Sequence, residues 1–321
     1  MTGGRRDPWT MRLLRIVHAI GDEATPRLAR FVFRNHRGLP LPCPVSRWQD
    51  RQRPVVVNPD LAPPRPPARG FPRIIFQTWK SRSIIPDNYR YWRQTFVDRN
   101  PDHAVILWDD DDNRRFISEQ FPWFLKTYDA YPAEIFRADA VRYFFLLHHG
   151  GLYADMDTEC LRPVGDTLGS GDVVLCRMGR NRRFAHSVPN AVMASRPGQI
   201  FWLYVIRLMM EAAGSDGGPE EMTGPVLLKR AFDAFSRMDG AAAWAAVEPV
   251  RSRLHPDQRA MLDHGTITVL TPRAWYPLDW TNPVHKLLRK QLIRKRQLLS
   301  SEVARSLFPR SAVVTYWSHS W

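Results

Sequence analysis

The sequence predicts an α/β protein whose sheet carries ligands at the carboxyl ends of its strands, and three observations predict it. Short apolar runs recur at Arg73–Trp79, Ala104–Trp108, Leu152–Asp157 and Asp172–Leu175. Helix-patterned stretches separate the first three of these runs, the alternation from which α/β sheets are built. Carboxylates follow directly on two of them, at Asp109–Asp112 and at Asp155 and Asp157, where open α/β sheets place their ligands.

Two regions are expected, 1–70 and 71–321. In the first, Trp9, Leu13, Ile16, Val17 and Ile20 share one face of a short helix, with Arg5, Arg6, Arg12 and Arg15 beside it. A proline-rich stretch, Arg53–Pro72, then reads as an extended strap, because repeated proline forbids helix and interior strand. The second region opens on the strand Arg73–Trp79, followed by a helix over Pro86–Arg99 and the strand Ala104–Trp108. Helices are predicted at Arg114–Phe121 and Pro132–His149, the latter stopped by Gly150. His148 and His149 sit where imidazoles commonly satisfy terminal carbonyls. Farther on come helices at Ile200–Glu211 and Val226–Phe235, a strand at Thr266–Leu270, a basic helix at Val284–Leu299 and a last strand at Ala312–Tyr316.

Bulk composition narrows the function. The formal charge of +14 favours an anionic partner, whether phosphate-bearing substrate, acidic membrane surface or nucleic acid. No helix-turn-helix, zinc-finger or RNP pattern is present, so no nucleic-acid partner is expected. The three cysteines, Cys43, Cys160 and Cys176, form no CxxC pair and fit a reducing compartment. No apolar run approaches the ~20 residues that span a bilayer. The two basic segments, near the N-terminus and at 284–299, suit peripheral docking on anionic lipid, so a cytoplasmic protein at the inner face of the membrane is expected.

The chemistry concentrates at Gly150-Gly151-Leu152-Tyr153-Ala154-Asp155-Met156-Asp157. On a strand, Asp155 and Asp157 point to one side with Cα atoms roughly 7 Å apart. Two hard oxygen donors on one edge suit Mn²⁺ or Mg²⁺, with positions left for phosphate oxygens. A phosphatase reading, Asp-x-Asp-x-Thr, fails because Thr158 follows Asp157 directly.

With the preceding helix, which carries Arg137, Asp139, Arg142 and Tyr143, this segment resembles the DXD-motif glycosyltransferase family of Och1-type and inositol-phosphoceramide mannosyltransferases. The resemblance extends over about 71–321, through Pro72–Lys80, Leu107–Asp110, Asn190–Ser195, Thr223-Gly224-Pro225 and the terminal Ser320-Trp321. It departs at Phe76, where relatives usually have histidine, and at Thr315-Tyr316-Trp317, where they often have His-His-Trp. It implies a GT-A-like, Rossmann-type nucleotide-sugar-binding sheet with helical additions. It also implies retaining transfer of a hexose, mannose favoured, from GDP-mannose or a UDP-hexose to a glycolipid or glycan hydroxyl. A protein-modifying transferase and a degenerate module that only binds nucleotide sugar or membrane are the alternatives.

Roles are then expected residue by residue. Asp157 binds the metal, and Asp155 reaches it through water or holds donor hydroxyls. Asp139 accepts from sugar hydroxyls while Arg142 steadies sugar or phosphate; a plain ion pair is the competing reading, since the two lie three apart on a helix. Gln77, Trp79, Asp109, Arg137 and Tyr153 are assigned to the nucleotide sugar. For Trp79 and Tyr153 core packing is the alternative, for Asp109 a solvated turn, and for Arg137 a pair with Glu134. Ser320 and Trp321 are expected to cap the metal–diphosphate, with His319 as a further ligand.

Overall fold

The computed structural model describes residues 70–283, 285–286, 304–305 and 307–318. The N-terminal amphipathic helix, the proline strap, most of the basic helix, and His319, Ser320 and Trp321 lie outside the described residues.

Pro72 is followed by β1 (Ile74–Thr78), buried along its whole length. Helix α1 (Asp87–Arg99) leads to β2 (Ala104–Trp108). Next come α2 (Asp110–Gln120), α3 (Pro122–Asp129) and α4 (Glu134–His148), then β3 (Gly151–Ala154), β4 (Thr158–Cys160), β5 (Val173–Cys176) and β6 (Val192–Ser195). The remaining elements are α5 (Ile200–Ala212), α6 (Pro219–Met222), α7 (Pro225–Phe235), α8 (Gly240–Arg251), α9 (Pro256–Ala260), β7 (Ile267–Leu270), α10 (Pro272–Trp275) and β8 (Val313–Thr315).

Six strands form one sheet in the order β2-β1-β3-β6-β5-β7, and β4 pairs with β8 in a second, two-stranded sheet. Strand β1 is parallel to β2 and β3; β6 is antiparallel to both β3 and β5; β5 is parallel to β7. Five strands therefore run one way and β6 alone runs against them. The carboxyl ends of β1, β2, β3, β5 and β7 share one edge, which agrees with the expected α/β, Rossmann-type sheet with helical additions.

Period-two alternation divides the core. Phe76 and Tyr153 face the cluster built on α4 and α5, whereas Ile75, Leu152, Ala154, Val174 and Cys176 face the other side. Helix α4 reads as polar-faced in sequence, yet eleven of its fifteen residues are buried, because α5 and the sheet enclose it. Phe76 explains its own departure from the family pattern: its ring lies 4.9 Å from Phe145 and 5.3 Å from His149, inside an aromatic cluster with Trp108 and Phe116. That cluster also encloses His148 and His149, and burial holds their imidazoles neutral, at about 4 and about 3. Cys160 and Cys176 are buried free thiols.

The strand expected over Leu152–Asp157 is shorter. It ends at Ala154 and resumes as β4 after a turn. Helix α2 begins at Asp110 rather than Arg114, since Asp109 and Asp112 form a reciprocal capping box.

Candidate functional site

The site forms where α4 hands the chain to β3. Gly150 and Gly151 make this junction, with φ of +66° and +87°. A Cβ on Gly151 would lie 2.5 Å from the carbonyl oxygen of Ile74, and one on Gly150 2.8 Å from that of Ser195. Only glycine allows both the backbone angles and this approach between neighbouring strands.

Beyond Ala154 the amide of Asp155 donates to Ala191 O, the last rung towards β6. The Thr158 amide and hydroxyl then both return to Asp155 O, closing Asp155–Thr158 as a turn. Asp155 and Asp157 therefore owe their placement to a turn at the sheet edge, not to strand alternation as expected from sequence.

Beneath Asp155 lies a buried polar chain. Arg142, 2% exposed, places Nη1 3.1 Å from Asp155 Oδ1 and Nη2 2.8 Å from Asp139 Oδ1. It also donates to the carbonyls of Ala138 and Asn190, and its guanidinium sits 4.5 Å from the centre of the Tyr153 ring. The Tyr153 hydroxyl donates to Asp155 Oδ1 at 2.8 Å. The Asn190 amide bridges Asp139 Oδ1 and the Tyr143 hydroxyl, which itself donates to Thr223 O. Gly224 is pressed against Asp139, since a Cβ there would lie 3.0 Å from Oδ2.

Burial dominates the electrostatics. Desolvation raises the Asp139 and Asp155 carboxyls to about 6 despite the Arg142 charge. Asp157 is raised for the same reason, its hydrogen bonds from Ser318 opposing the shift. Asp155 nevertheless keeps 22% of its side chain exposed, so this dense pocket opens to solvent at the carboxylate tip.

The C-terminal segment completes the mouth. Strand β8 pairs with β4, and the Tyr316 amide donates to Asp157 O. Trp317 adopts φ 51°, turning the chain so that the Ser318 amide and hydroxyl reach Asp157 Oδ2 at 2.7 and 3.0 Å. The Ser318 hydroxyl also pairs with Tyr89 at 2.6 Å. From Trp317 the rim continues through the ring of Trp280 (6.5 Å) to His186 (5.2 Å), whose Nε2 lies 3.3 Å from Glu220. Glu220 adjoins Gly224 and so Asp139. An aromatic shelf of Phe184, His186, Trp280 and Trp317 thus shares one rim with the carboxylates.

Other expected site residues are engaged elsewhere. Gln77 is fully buried in β1 and accepts from Arg93. Trp79, 3% exposed, packs 4.6 Å from Tyr89 and donates to Ile84 O, so it stands behind the tail contact rather than offering a ring face to solvent. Asp109 caps α2 and pairs with Arg82. Arg137 pairs with Glu134 and donates to Tyr131 O. Tyr153 faces Asp155 as expected but is wholly buried beneath it. Sequence reading missed the roles of Asn190, Tyr143, Glu220, His186 and Ser318. For Asn190 and Tyr143 the signal was only their place in matching segments; Ser318, His186 and Glu220 carried none.

Among the described residues no group of three or more His, Cys, Asp or Glu side chains converges as a metal site. The donor set at the turn nevertheless fits a hard divalent cation that completes its shell with phosphate oxygens. The bonds above engage Oδ1 of Asp155 and Oδ2 of Asp157, leaving the second oxygen of each carboxylate outside them. Their desolvation would be relieved by a cation.

Residues 86–175 match the family described as a glycosyltransferase sugar-binding region containing a DXD motif. The chain is 36% identical over 213 residues to inositol phosphoceramide mannosyltransferase 3 of Schizosaccharomyces pombe, covering 65% of this chain and 57% of that protein. It is 39% identical over 151 residues to mannosyl phosphorylinositol ceramide synthase SUR1 of Saccharomyces cerevisiae, covering 47% and 37%. The chain thus spans little more than half the length of the first and less of the second. Among solved structures, the PaToxG glycosyltransferase is similar with a TM-score of 0.43 at 12% identity, over 60% of this chain and 84% of that one.

Proposed function

We propose, from the match of residues 86–175 to a glycosyltransferase sugar-binding region containing a DXD motif, that the chain transfers a hexose, mannose foremost, from a nucleotide-diphosphate sugar to a hydroxyl of a glycolipid or glycan. The observation that carries this reading is the buried chain Asp139–Arg142–Asp155 ending in an open carboxylate turn at the carboxyl edge of the sheet. A fold maintains two desolvated carboxylates near pH 6 only at a cost, and such sites are where function concentrates. The names of the relatives support mannose as the sugar and a phosphoinositol-bearing sphingolipid as a candidate acceptor.

Asp155 and Asp157 would hold the cation, Mn²⁺ or Mg²⁺, which when bound would supply Lewis-acid neutralisation of charge on the diphosphate. Arg142 is too buried to meet substrate. It acts as a positioning residue that fixes Asp155 and Asp139 and balances their charge. Asp139 and Glu220 accept hydroxyls of the sugar, whose apolar face packs on the shelf of Trp280 and Trp317. Ser318 locks the rotamer of Asp157 and ties the C-terminal segment to the mouth. Among the described residues the one rim carboxylate apart from the turn, Glu220, is paired with His186, which suits front-side transfer with retention at the anomeric carbon. The basic segments outside the described residues would hold the protein at the inner, anionic face of a membrane; among the described residues no helix is long and apolar enough to cross it.

The test is sugar release to water or transfer from a panel containing GDP-mannose, UDP-glucose and UDP-galactose, with Mn²⁺ and with chelator. Metal-dependent turnover of one donor, GDP-mannose first, is expected. No turnover of any donor with metal present would sink the reading.

A further inference from the structure

A second feature of the same sheet edge is not used by the carboxylate site. Beyond β5 and β7 an open cleft of about 660 Å³ lies between Arg180, Arg273 and Arg310, with Tyr276, Phe308 and Asp279 among its walls. Its size suits a small-molecule headgroup. We propose that this cleft is an anion subsite for a phosphate ester.

Several arginines near the sheet are paired: Arg82 with Asp109 and Asp112, Arg137 with Glu134, Arg196 with Asp172. Arg273 and Arg310 are exposed and form no ion pair among the described residues, although Asp279 lines the same cleft. One oxygen of Asp279 is engaged locally, Oδ1 accepting from the Thr281 amide and hydroxyl at 2.8 and 2.6 Å. Among the described residues the two unpaired guanidinium groups of Arg273 and Arg310 face one carboxylate, which leaves the cleft positive. A concave wall of low polarizability focuses such a field, and the flat guanidinium fork matches phosphate oxygens in pairs.

The Ser311 hydroxyl donates to Arg273 O at 2.6 Å, and the Ala312 amide to Ala274 O at 2.9 Å. These bonds fasten the segment carrying Arg310 to the one carrying Arg273, so the two side chains leave adjoining, fixed backbones. The back wall is rigid too: Tyr276 is buried, its hydroxyl accepting from the Val192 amide at 2.7 Å. The cleft is also close to the carboxylates. The Tyr276 ring lies 5.5 Å from that of Trp317, whose neighbour Ser318 bonds Asp157.

The site stands on its own residues and needs neither metal nor sugar transfer. It is tested by titrating the full chain in EDTA with glycerol 3-phosphate and, separately, with inorganic phosphate, followed by calorimetry. The wild type should bind the ester saturably, and Arg273→Ala and Arg310→Ala should each weaken binding roughly tenfold, the worth of one charge-assisted contact. Arg182→Ala, an exposed arginine outside the cleft, should leave it unchanged, and all three variants should melt with the wild type when no phosphate is present. Equal binding of inorganic phosphate, weakened by the same substitutions, supports the subsite with free phosphate as its source; preference for the ester supports an organic ligand. No saturable binding by the wild type, or binding that both cleft variants retain, overturns the proposal.

Discussion

Arg142 is the residue on which the site's electrostatics turn. It is buried with two carboxylates, so removing it leaves Asp139 and Asp155 desolvated without a counter-charge. Arg142→Ala should therefore destabilise the fold by about 3–5 kcal/mol in chemical denaturation, far beyond a surface pair. A loss near zero would show that the pair is not buried as described. The two carboxylates also set a pH dependence. Their folded pKa of about 6 lies above the ordinary value of about 4. Ionising them thus costs stability above pH 6, and that cost disappears as pH falls towards 4. Activity should run the opposite way, since holding a cation and accepting hydroxyls need the anions. Turnover should fall as pH drops through about 6, and raising Mn²⁺ should move this acid limb lower, because a cation favours the ionised form. A limb that ignores metal concentration contradicts the assignment. Sequence made Asp139, Arg142, Asp155 and Asp157 legible because they form a dense local motif. It did not show how deeply Arg142 is buried, because burial depends on α5 and the sheet, which no local pattern reports.

Among the elements, the turn after β3 and the tail after β8 decide the mouth. Strand alternation suggested that both carboxylates share a strand face, whereas the Thr158 bonds to Asp155 O make a turn instead. The strand pattern could not reveal this, because the run Leu152–Asp157 is equally compatible with one strand or two. Asp109, assigned from sequence to the nucleotide sugar, also caps a helix that the acidic run did not reveal. The β8 segment was legible as a strand, but its pairing with β4 joins residues about 155 apart in sequence and lay beyond local reading. Truncation after Trp317 should abolish transfer while leaving the melting temperature nearly unchanged, because the β4–β8 ladder ends at Thr315 and stays intact. Full turnover by that truncated chain would show that Ser318 and the residues after it do not complete the mouth.

For the molecule as a whole, the alternation of strands and helices gave the sheet class, since each element spans only a few residues and carries its own period. Strand order and the reversed β6 were not legible, being set by how α4 and α5 cover the sheet. The charge of +14 is the other whole-chain property. The basic segments should carry the protein to anionic vesicles in flotation at low salt, and raised ionic strength should release it. Retention on vesicles that salt does not weaken, or no retention at all, contradicts electrostatic docking.

The central claim, that a cation at the Asp155–Asp157 turn holds the diphosphate of a sugar nucleotide, is tested most directly by thermal shift with GDP-mannose and the UDP-hexoses. One donor should raise the melting temperature of the wild type only when Mn²⁺ or Mg²⁺ is present, and Asp155→Asn should lose that shift. Stabilisation that survives in chelator, or in Asp155→Asn with metal, would contradict it.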